Sequence, residues 1–598
     1  MNEWEGGRCI RFGDDVNTDV IIPGRYLVSI DPKELAEHAF EPMGAEVQAR
    51  LRAARAIVAG RNFGCGSARE QAASCLVGAG VAAVVAVSFS RVFFRNAINT
   101  GLLAVECPEA AAAAREGEDV LVDVEAGAVE VGGRRFAFPP YPESLRRILL
   151  AGGLIPHLAT AGRAAPVRLT AAPPATGPAR PRTFAEKVLA RAAGRDDAAV
   201  GEIVDVYPDL VMSHSASWRC IRALERLGTD ELYDPDRIAM VMDHISPART
   251  AKTAADHRLC REFAARKGIR RFHDVEAGIA HVVLMEQGDV RPGQVVIGTD
   301  SHSTIYGALG AFGTGVGFSE ITAAWVTGAL WMRVPASLRV EIEGPMAPGT
   351  TAKDLMLRLI GELTADGATY LSVEFHGSQV AAMSVSERMT LCNLAMEAGA
   401  KNAYVAPDDV TRAYLAERGV GGDGYAEVHP DPGAEYLRRV AVDASRLVPM
   451  VSCPHAVDAV RPIDQVAGSR VDQVFIGSCA NAKHDDLVEA AAILRGRRVA
   501  PGVRLIVTPA SREVVQRIVR DGVYSALLDA GALITNPGCG ACAGDGGVLA
   551  DGEVCFSTAN RNFQGRMGSY SAEIYLGSPA AAAATAVRGV ITDPREFL

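Results

Sequence analysis

Asn536-Pro-Gly-Cys539-Gly-Ala-Cys542-Ala-Gly-Asp-Gly-Gly547 places two cysteines at C-x-x-C spacing in a loop dense with glycine. Glycine lets a backbone curl closely around a bulky ligand, so two thiolates at this spacing can turn toward one point. Upstream, Phe475-Ile-Gly-Ser-Cys479-Ala-Asn481 puts a third cysteine where an apolar, strand-like run (Val474 to Ile476) breaks into a turn of small residues. The end of a buried strand is where α/β proteins hold ligands.

Three cysteines are then available, and not four. A structural zinc site takes four protein ligands, with histidine able to replace cysteine. An all-thiolate set with one vacant corner suits an iron-sulfur cluster whose open iron meets substrate. A redox dithiol, or a pair of buried inert cysteines, is the plainer account of an isolated C-x-x-C.

At 598 residues the chain exceeds one hydrophobic core, and at roughly 100 to 200 residues per domain it should fold as about three to five units. Hydrophobic content of 48% against 22% charged residues is an ordinary globular balance. A net charge of -10 and a pI near 5.7 argue against a nucleic-acid binder, so an anionic substrate would need locally placed arginines. The twelve cysteines are scattered, and Met1-Asn-Glu-Trp-Glu-Gly-Gly7 has neither a basic start nor an apolar run. The reading is a cytoplasmic protein with reduced thiols and no secretory signal. Apolar runs such as Val81 to Val87 fall short of the roughly 20 residues of a membrane helix.

In chain order, Ala56-Ile-Val-Ala59, a glycine loop, a helix over Ala68 to Val77 and a strand over Val81 to Val87 predict a β-loop-α-β unit. β-rich residues from Val120 to Phe138 complete a small domain, 1–160. Residues 161–182, dominated by alanine, proline and arginine, predict an exposed linker. Thr183-Phe-Ala-Glu186 is a capping-box pattern that opens a second unit, 183–598. There, strand-like runs (Val282 to Leu284, Val295 to Ile297, Val474 to Ile476, Val503 to Val507) alternate with helical stretches (Ile321 to Trp331, Leu487 to Leu494, Arg512 to Val519). That alternation predicts α/β layers with mostly parallel sheets.

Ser67 follows a glycine loop and precedes an alanine-rich helix; Ser-x-x-Glu is a helix cap, and a serine there also sits among unpaired N–H groups that stabilise an alkoxide. With Arg69 two positions on, Ser67 has the setting of a base. Asp300 and His302, in Gly298-Thr-Asp-Ser-His-Ser303, follow the strand-like run Val295 to Ile297. An Asp-x-His pair suits a histidine whose charge and tautomer a carboxylate sets. Asp243-His244 repeats the theme, and His281 stands in Gly278-Ile-Ala-His281-Val. Arg561 and Arg566, in Asn560-Arg-Asn-Phe-Gln-Gly-Arg566, can grip two carboxylates or serve as surface ion pairs. The glycines of Gly307 to Gly317 are spaced like a dinucleotide loop but lack a following acidic residue, which favours close packing as their role.

Taken together these residues resemble the aconitase superfamily, most closely its isopropylmalate isomerase and homoaconitase branch. The motifs GTDSHS (298–303), GSCANA (477–482), NPGCGACAG (536–544), NRNFQGRMGS (560–569), DVNTDVIIPGRYL (15–27) and NFGCGSARE (62–70) carry the likeness over nearly the whole chain. The resemblance implies a multidomain α/β fold with three α/β/α layers in the large unit and an amino-terminal swivelling β/α domain, normally a separate small subunit. It implies a 4Fe-4S cluster on Cys479, Cys539 and Cys542, a catalytic base at Ser67 with Arg69 beside it, and proton handling by Asp243, His244, His281, Asp300 and His302. Glu397 matches a carboxylate near the labile iron, Arg561 and Arg566 match carboxylate-binding arginines, and Asn393, Asn481 and Asn560 match supporting polar residues.

The implied reaction is a dehydratase step, moving a hydroxyl between adjacent carbons of a small di- or tricarboxylate. Removing a proton beside a carboxylate builds up charge, so a base and cations are required. Val28 stands where homoaconitase-like members commonly carry an arginine, and it favours an apolar substituent, hence isopropylmalate. Ala68 replaces a serine of the usual Ser-Ser-Arg, and Met212-Ser-His-Ser-Ala-Ser217 departs from the branch's Asn-Asp pattern. Homoaconitase, aconitase and dimethylmalate dehydratase are the alternatives. Relatives that lose the cluster bind RNA, a reading opposed by the acidic charge and the three retained cysteines.

Overall fold

The computed structural model describes residues 5–26, 29–66, 69–161 and 180–598. Ser67, Ala68 and Val28 lie outside the described residues, as do 162–179 of the expected linker.

The amino-terminal sheet has seven strands around Glu5–Arg11. On one side this strand pairs in parallel with Ala56–Ala59, followed by Ala83–Ala86 and Leu103–Glu106. On the other it pairs antiparallel with Asp119–Asp123, followed by Ala128–Val131 and Arg134–Ala137. The parallel half is buried on both faces, which is why Ala56-Ile-Val-Ala59 reads as an unbroken apolar run. The β-loop-α-β unit closes through the helix Glu70–Gly78.

From Thr183 onward three further α/β sheets follow, with a two-stranded ribbon beside them. Glu186 accepts the Thr183 N–H at 2.9 Å, so the capping box opens the helix Phe184–Ala192. One sheet is wholly parallel, in the order Arg271–His273, Ile238–Val241, Leu210–Ser213, Val295–Gly298, Phe312–Gly315. A second, also parallel, runs Asn402–Val405, Ser372–His376, Ser337–Glu343, Arg438–Asp443. The third is mixed, its parallel centre formed by Val554–Ser557, Gln473–Ile476, Arg504–Val507 and Leu533–Ile534. Close packing explains the glycine run: a Cβ on Gly313 would lie 2.1 Å from Ser303 O, which is sterically impossible.

Two sequence expectations are corrected. Val282 to Leu284 is not a strand but part of the helix Ala280–Glu286, whose residues from Ala280 to Met285 are all buried. Without a polar face a helix shows no 3.6-residue period, so the run mimics a buried strand. Ile321 to Trp331 is not one helix: Phe318–Thr327 stops at Gly328, which takes the left-handed φ of 71°, and the chain turns into the strand Leu330–Arg333.

The amino-terminal unit docks through its helix Arg91–Asn99. Arg95, 2% exposed, donates to Glu320 at 2.8 Å and to the Trp331 carbonyl at 2.9 Å. Glu70 accepts the Ser319 hydroxyl at 2.6 Å and its N–H at 2.9 Å, at the amino terminus of the helix Phe318–Thr327. Breaking a buried pair such as Arg95–Glu320 from one side costs about 3–5 kcal/mol. The docked unit therefore covers the carboxyl ends of the parallel strands.

Candidate active site

Those carboxyl ends supply the sequence-predicted residues. Asp243 and His244 follow Ile238–Val241, and Asp300 and His302 follow Val295–Gly298. Cys479 follows Gln473–Ile476, while Asn560 and Arg561 follow Val554–Ser557. Glu397 comes from the short turn Ala395–Ala398, and His281 from the second position of its helix.

The side chains form a connected run. Arg561, 2% exposed, pairs with Glu397 at 2.9 Å and donates to Ser301 Oγ at 3.0 Å. Glu397 meets His302 Nε2 at 2.7 Å. His302 Nδ1 lies 3.3 Å from Asp300, whose same oxygen is 3.2 Å from His281 Nε2. The other Asp300 oxygen stands 3.9 Å from His244 Nε2. His244 Nδ1 bonds Asp243 at 2.7 Å, and Asp243 accepts the Ala280 N–H at 3.0 Å.

Electrostatics follow from this geometry. Burial pushes the Asp300 carboxyl upward, but hydrogen bonds and charges from His281 and His302 overcome it and hold the group well below the usual carboxylate range. For Asp243, burial is likewise outweighed by His244, leaving it at about 2. His214, its ring 4.6 Å from that of His244, is held at about 4 by burial and by His244, and so stays neutral.

Three thiols from two loops, Cys479, Cys539 and Cys542, are soft donors of the kind a multi-iron group takes. Asn560 donates an amide N–H to Cys479 Sγ at 3.3 Å, and Cys539 Sγ stands 3.9 Å from His244. Asn481 Oδ1 is buried without a hydrogen-bond partner, and Asn393 hydrogen-bonds the Cys479 thiol. Among the described residues, His214, Asp243 and His244 are the trio close enough to hold a single ion, and hydrogen bonds within the protein already engage them. Burial raises the Cys539 thiol to about 11, against the charge of His244.

One cavity collects the cations and the relay. It encloses about 1270 Å³ of solvent-open space, and its lining includes Arg69, Arg219, Arg561, Arg566, Asp300 and His302. Arg69 reaches it from the amino-terminal unit, held by Asp19 at 2.6 Å and the Ile22 carbonyl at 3.2 Å. Sequence reasoning missed Lys353, fully buried, whose ammonium donates to the carbonyls of Ala559 at 2.8 Å and Thr558 at 3.1 Å and thereby sets the loop leading into Asn560 and Arg561. The signal was a lysine in the first turn of a helix, where the macrodipole disfavours a cation. His214 and Arg219 were passed over as individual residues, although they stand in or beside the departing segment 212–217.

The aconitase family model (aconitate hydratase) matches residues 186–469 and 464–589. The chain belongs to the aconitase family. The model of the aconitase C-terminal domain matches residues 32–110, so in this family member that domain precedes the main match. Among relatives, the 3-isopropylmalate dehydratase large subunit 1 of Methanopyrus kandleri is 49% identical over 419 residues, which are 70% of this chain and 100% of that protein. The homoaconitase large subunit of Thermus thermophilus is 48% identical over 422 residues, 70% of this chain and 98% of that protein. A solved 3-isopropylmalate dehydratase (leuD) from Methanocaldococcus jannaschii is 38% identical, covering 26% of this chain and 95% of that one, with a TM-score of 0.25. The aconitase-family chain is thus a hydro-lyase-type enzyme, in a family that typically depends on a 4Fe-4S cluster. No helix among the described residues is long and apolar enough to cross a membrane.

Proposed function

We propose that this chain moves a hydroxyl between adjacent carbons of a substituted malate by dehydration and rehydration, with 3-isopropylmalate as substrate and a 4Fe-4S cluster on Cys479, Cys539 and Cys542. The observation that carries it is the continuous run Arg561–Glu397–His302–Asp300–His281 opening into a cavity that also receives Arg69. Residues 1–160 act as the small, swivelling unit and 183–598 as the catalytic unit, joined by 161–182, so no separate small subunit is needed.

When bound, the cluster supplies a Lewis acid for the departing hydroxyl. The protein does the rest. Arg561, Arg566 and Arg69 receive the substrate carboxylates and spread the charge that develops when the adjacent carbon loses its proton. Ser67, assigned by the family motif, takes that proton. The imidazoles tied to Asp300 hold the proton that the leaving hydroxyl needs, with Glu397 orienting His302 from the far side. The isopropyl preference rests on the apolar Val28 in the sequence.

Anaerobic reconstitution followed by alkene absorbance with 3-isopropylmalate, homocitrate, citrate and dimethylmalate tests the reading. Ser67→Ala should lose about 10²–10⁴-fold in turnover while keeping the visible absorbance of the cluster. Full activity in that variant, or no turnover of any of the four by the intact chain, overturns it.

Arg219 favours a second reading. A malate skeleton has two carboxylates, yet four arginines line the cavity. Arg219 lies over the Phe318 ring at 4.7 Å, with the side-chain amide of Gln71 3.0 Å away. A third carboxylate, as in homocitrate, would meet it there. On this reading Arg219→Met lowers kcat/KM for homocitrate by about 30-fold or more and leaves 3-isopropylmalate within about threefold. Equal effects on both substrates remove Arg219 from the substrate's distal end.

A further inference from the structure

A second cavity, of about 1130 Å³ of solvent-open space, lies in the seam where the amino-terminal unit docks; no residue lines both it and the cavity of Arg69 and Asp300, while Arg91 and Thr369 also line a pocket that reaches Glu397. Phe94, Phe138, Pro140 and Tyr141 wall it from one unit, Trp331 and Tyr370 from the other. Its faces are therefore largely apolar. Its polar groups, by contrast, are donors in surplus. Arg91 and Arg95, 4% and 2% exposed, both line it. Arg91 Nε and Trp331 Nε1 are buried without an acceptor, while Arg95 also reaches Tyr370. Arg333 adds a third guanidinium to the lining, and the fully buried Lys401, its Nζ also unpartnered, lies 5.6 Å from the Tyr370 ring centre. On the acidic side, Glu320 is engaged by Arg95, and Glu106 accepts the Phe89 N–H at 3.3 Å.

Buried N–H groups are almost always paired, and unpaired cationic ones at a single cavity point to an absent anionic acceptor. Guanidinium edges and an indole N–H suit a carboxylate, and the aromatic and proline walls suit an apolar body attached to it. We propose that this seam cavity binds a small carboxylate carrying an apolar body, at a site separate from the catalytic cavity. Because its walls come from both units, an occupant holds the amino-terminal unit in its docked position. Arg91 carries occupancy further: its Nη1 lies 3.4 Å from Gly315 O, and its Nη2 lies 3.5 Å from Ser301 O and 3.1 Å from Met396 Sδ. Ser301 adjoins Asp300 and His302, and Met396 adjoins Glu397. An effect on turnover rests on the hydro-lyase reading; binding does not.

Calorimetric titration of the full chain, with its cluster reconstituted, uses 3-phenylpropanoate, its neutral amide and inorganic phosphate as probes. The expected result is sub-millimolar binding of one 3-phenylpropanoate per chain, at least about tenfold weaker binding of the amide, and no heat from phosphate. Saturating malate should not displace the acid. Trp331→Phe removes the indole donor and keeps a ring against Arg95, and Arg333→Ser removes an exposed guanidinium, so both variants should melt like the parent. Each should weaken binding about fivefold or more. Equal binding of acid and amide, displacement by malate, phosphate binding in preference to the acid, or undiminished binding in both variants would each overturn the proposal. These outcomes are read whether or not the chain turns over 3-isopropylmalate.

Discussion

Asp300→Asn is expected to lower turnover by about 10³–10⁴-fold while the protein folds and reconstitutes normally. Among the described residues, Asp300 is the carboxylate that reaches three imidazoles: His281 at 3.2 Å, His302 at 3.3 Å and His244 at 3.9 Å. Its position selects the tautomers of the rings it meets. An asparagine keeps the volume but removes the charge, and its NH₂ faces a ring nitrogen with the wrong polarity. The side chain is 20% exposed, so water satisfies part of the new amide and the fold is spared. Steady-state kinetics with a melting curve check this. A variant within about tenfold of parental kcat would place the proton chemistry outside this hub.

Glu397→Ala should cost about 3–5 kcal/mol of stability and abolish measurable turnover. Both partners of this carboxylate are sequestered: Arg561 is 2% exposed and His302 6%. Burial pushes the Glu397 carboxyl upward, but Arg561 and His302 outweigh it and keep the group ionised. Truncation leaves a guanidinium without its counter-charge in a low-dielectric interior. Denaturant titration reads the loss. The double change Glu397→Leu with Arg561→Leu should recover much of the stability and none of the activity, since an apolar pair can replace a buried ion pair energetically but not chemically. Stability of Glu397→Ala within about 1 kcal/mol of the parent would mean that solvent reaches Arg561.

The legible features were the local ones. A capping box announces itself within four residues, as Thr183 and Glu186 do, and a parallel strand buried on both faces announces itself as an apolar run, as Val295 to Ile297 does. The histidine and aspartate positions were visible because each stands just past such a run or in a motif shared with a known family. Lys353 and Arg219 were not visible in that way. Lys353 works on carbonyls about two hundred positions away, and nothing local marks that destination. Arg219 takes its meaning from Gln71 of the other unit. The helix around His281 failed for the opposite reason: total burial erased the periodicity that distinguishes helix from strand.

The order of the two units has a consequence for synthesis. All strand pairings of the amino-terminal sheet fall between Glu5 and Ala137, so this unit can fold as soon as it clears the ribosome. Arg95 then waits for Glu320, 225 positions later, which at about 5–20 residues per second takes roughly ten to fifty seconds. During that interval two arginines destined for burial stay hydrated, which keeps the nascent docking face soluble. When the acceptor groups arrive they do so on the same tether, at an effective concentration set by the connecting chain rather than by the abundance of a second polypeptide.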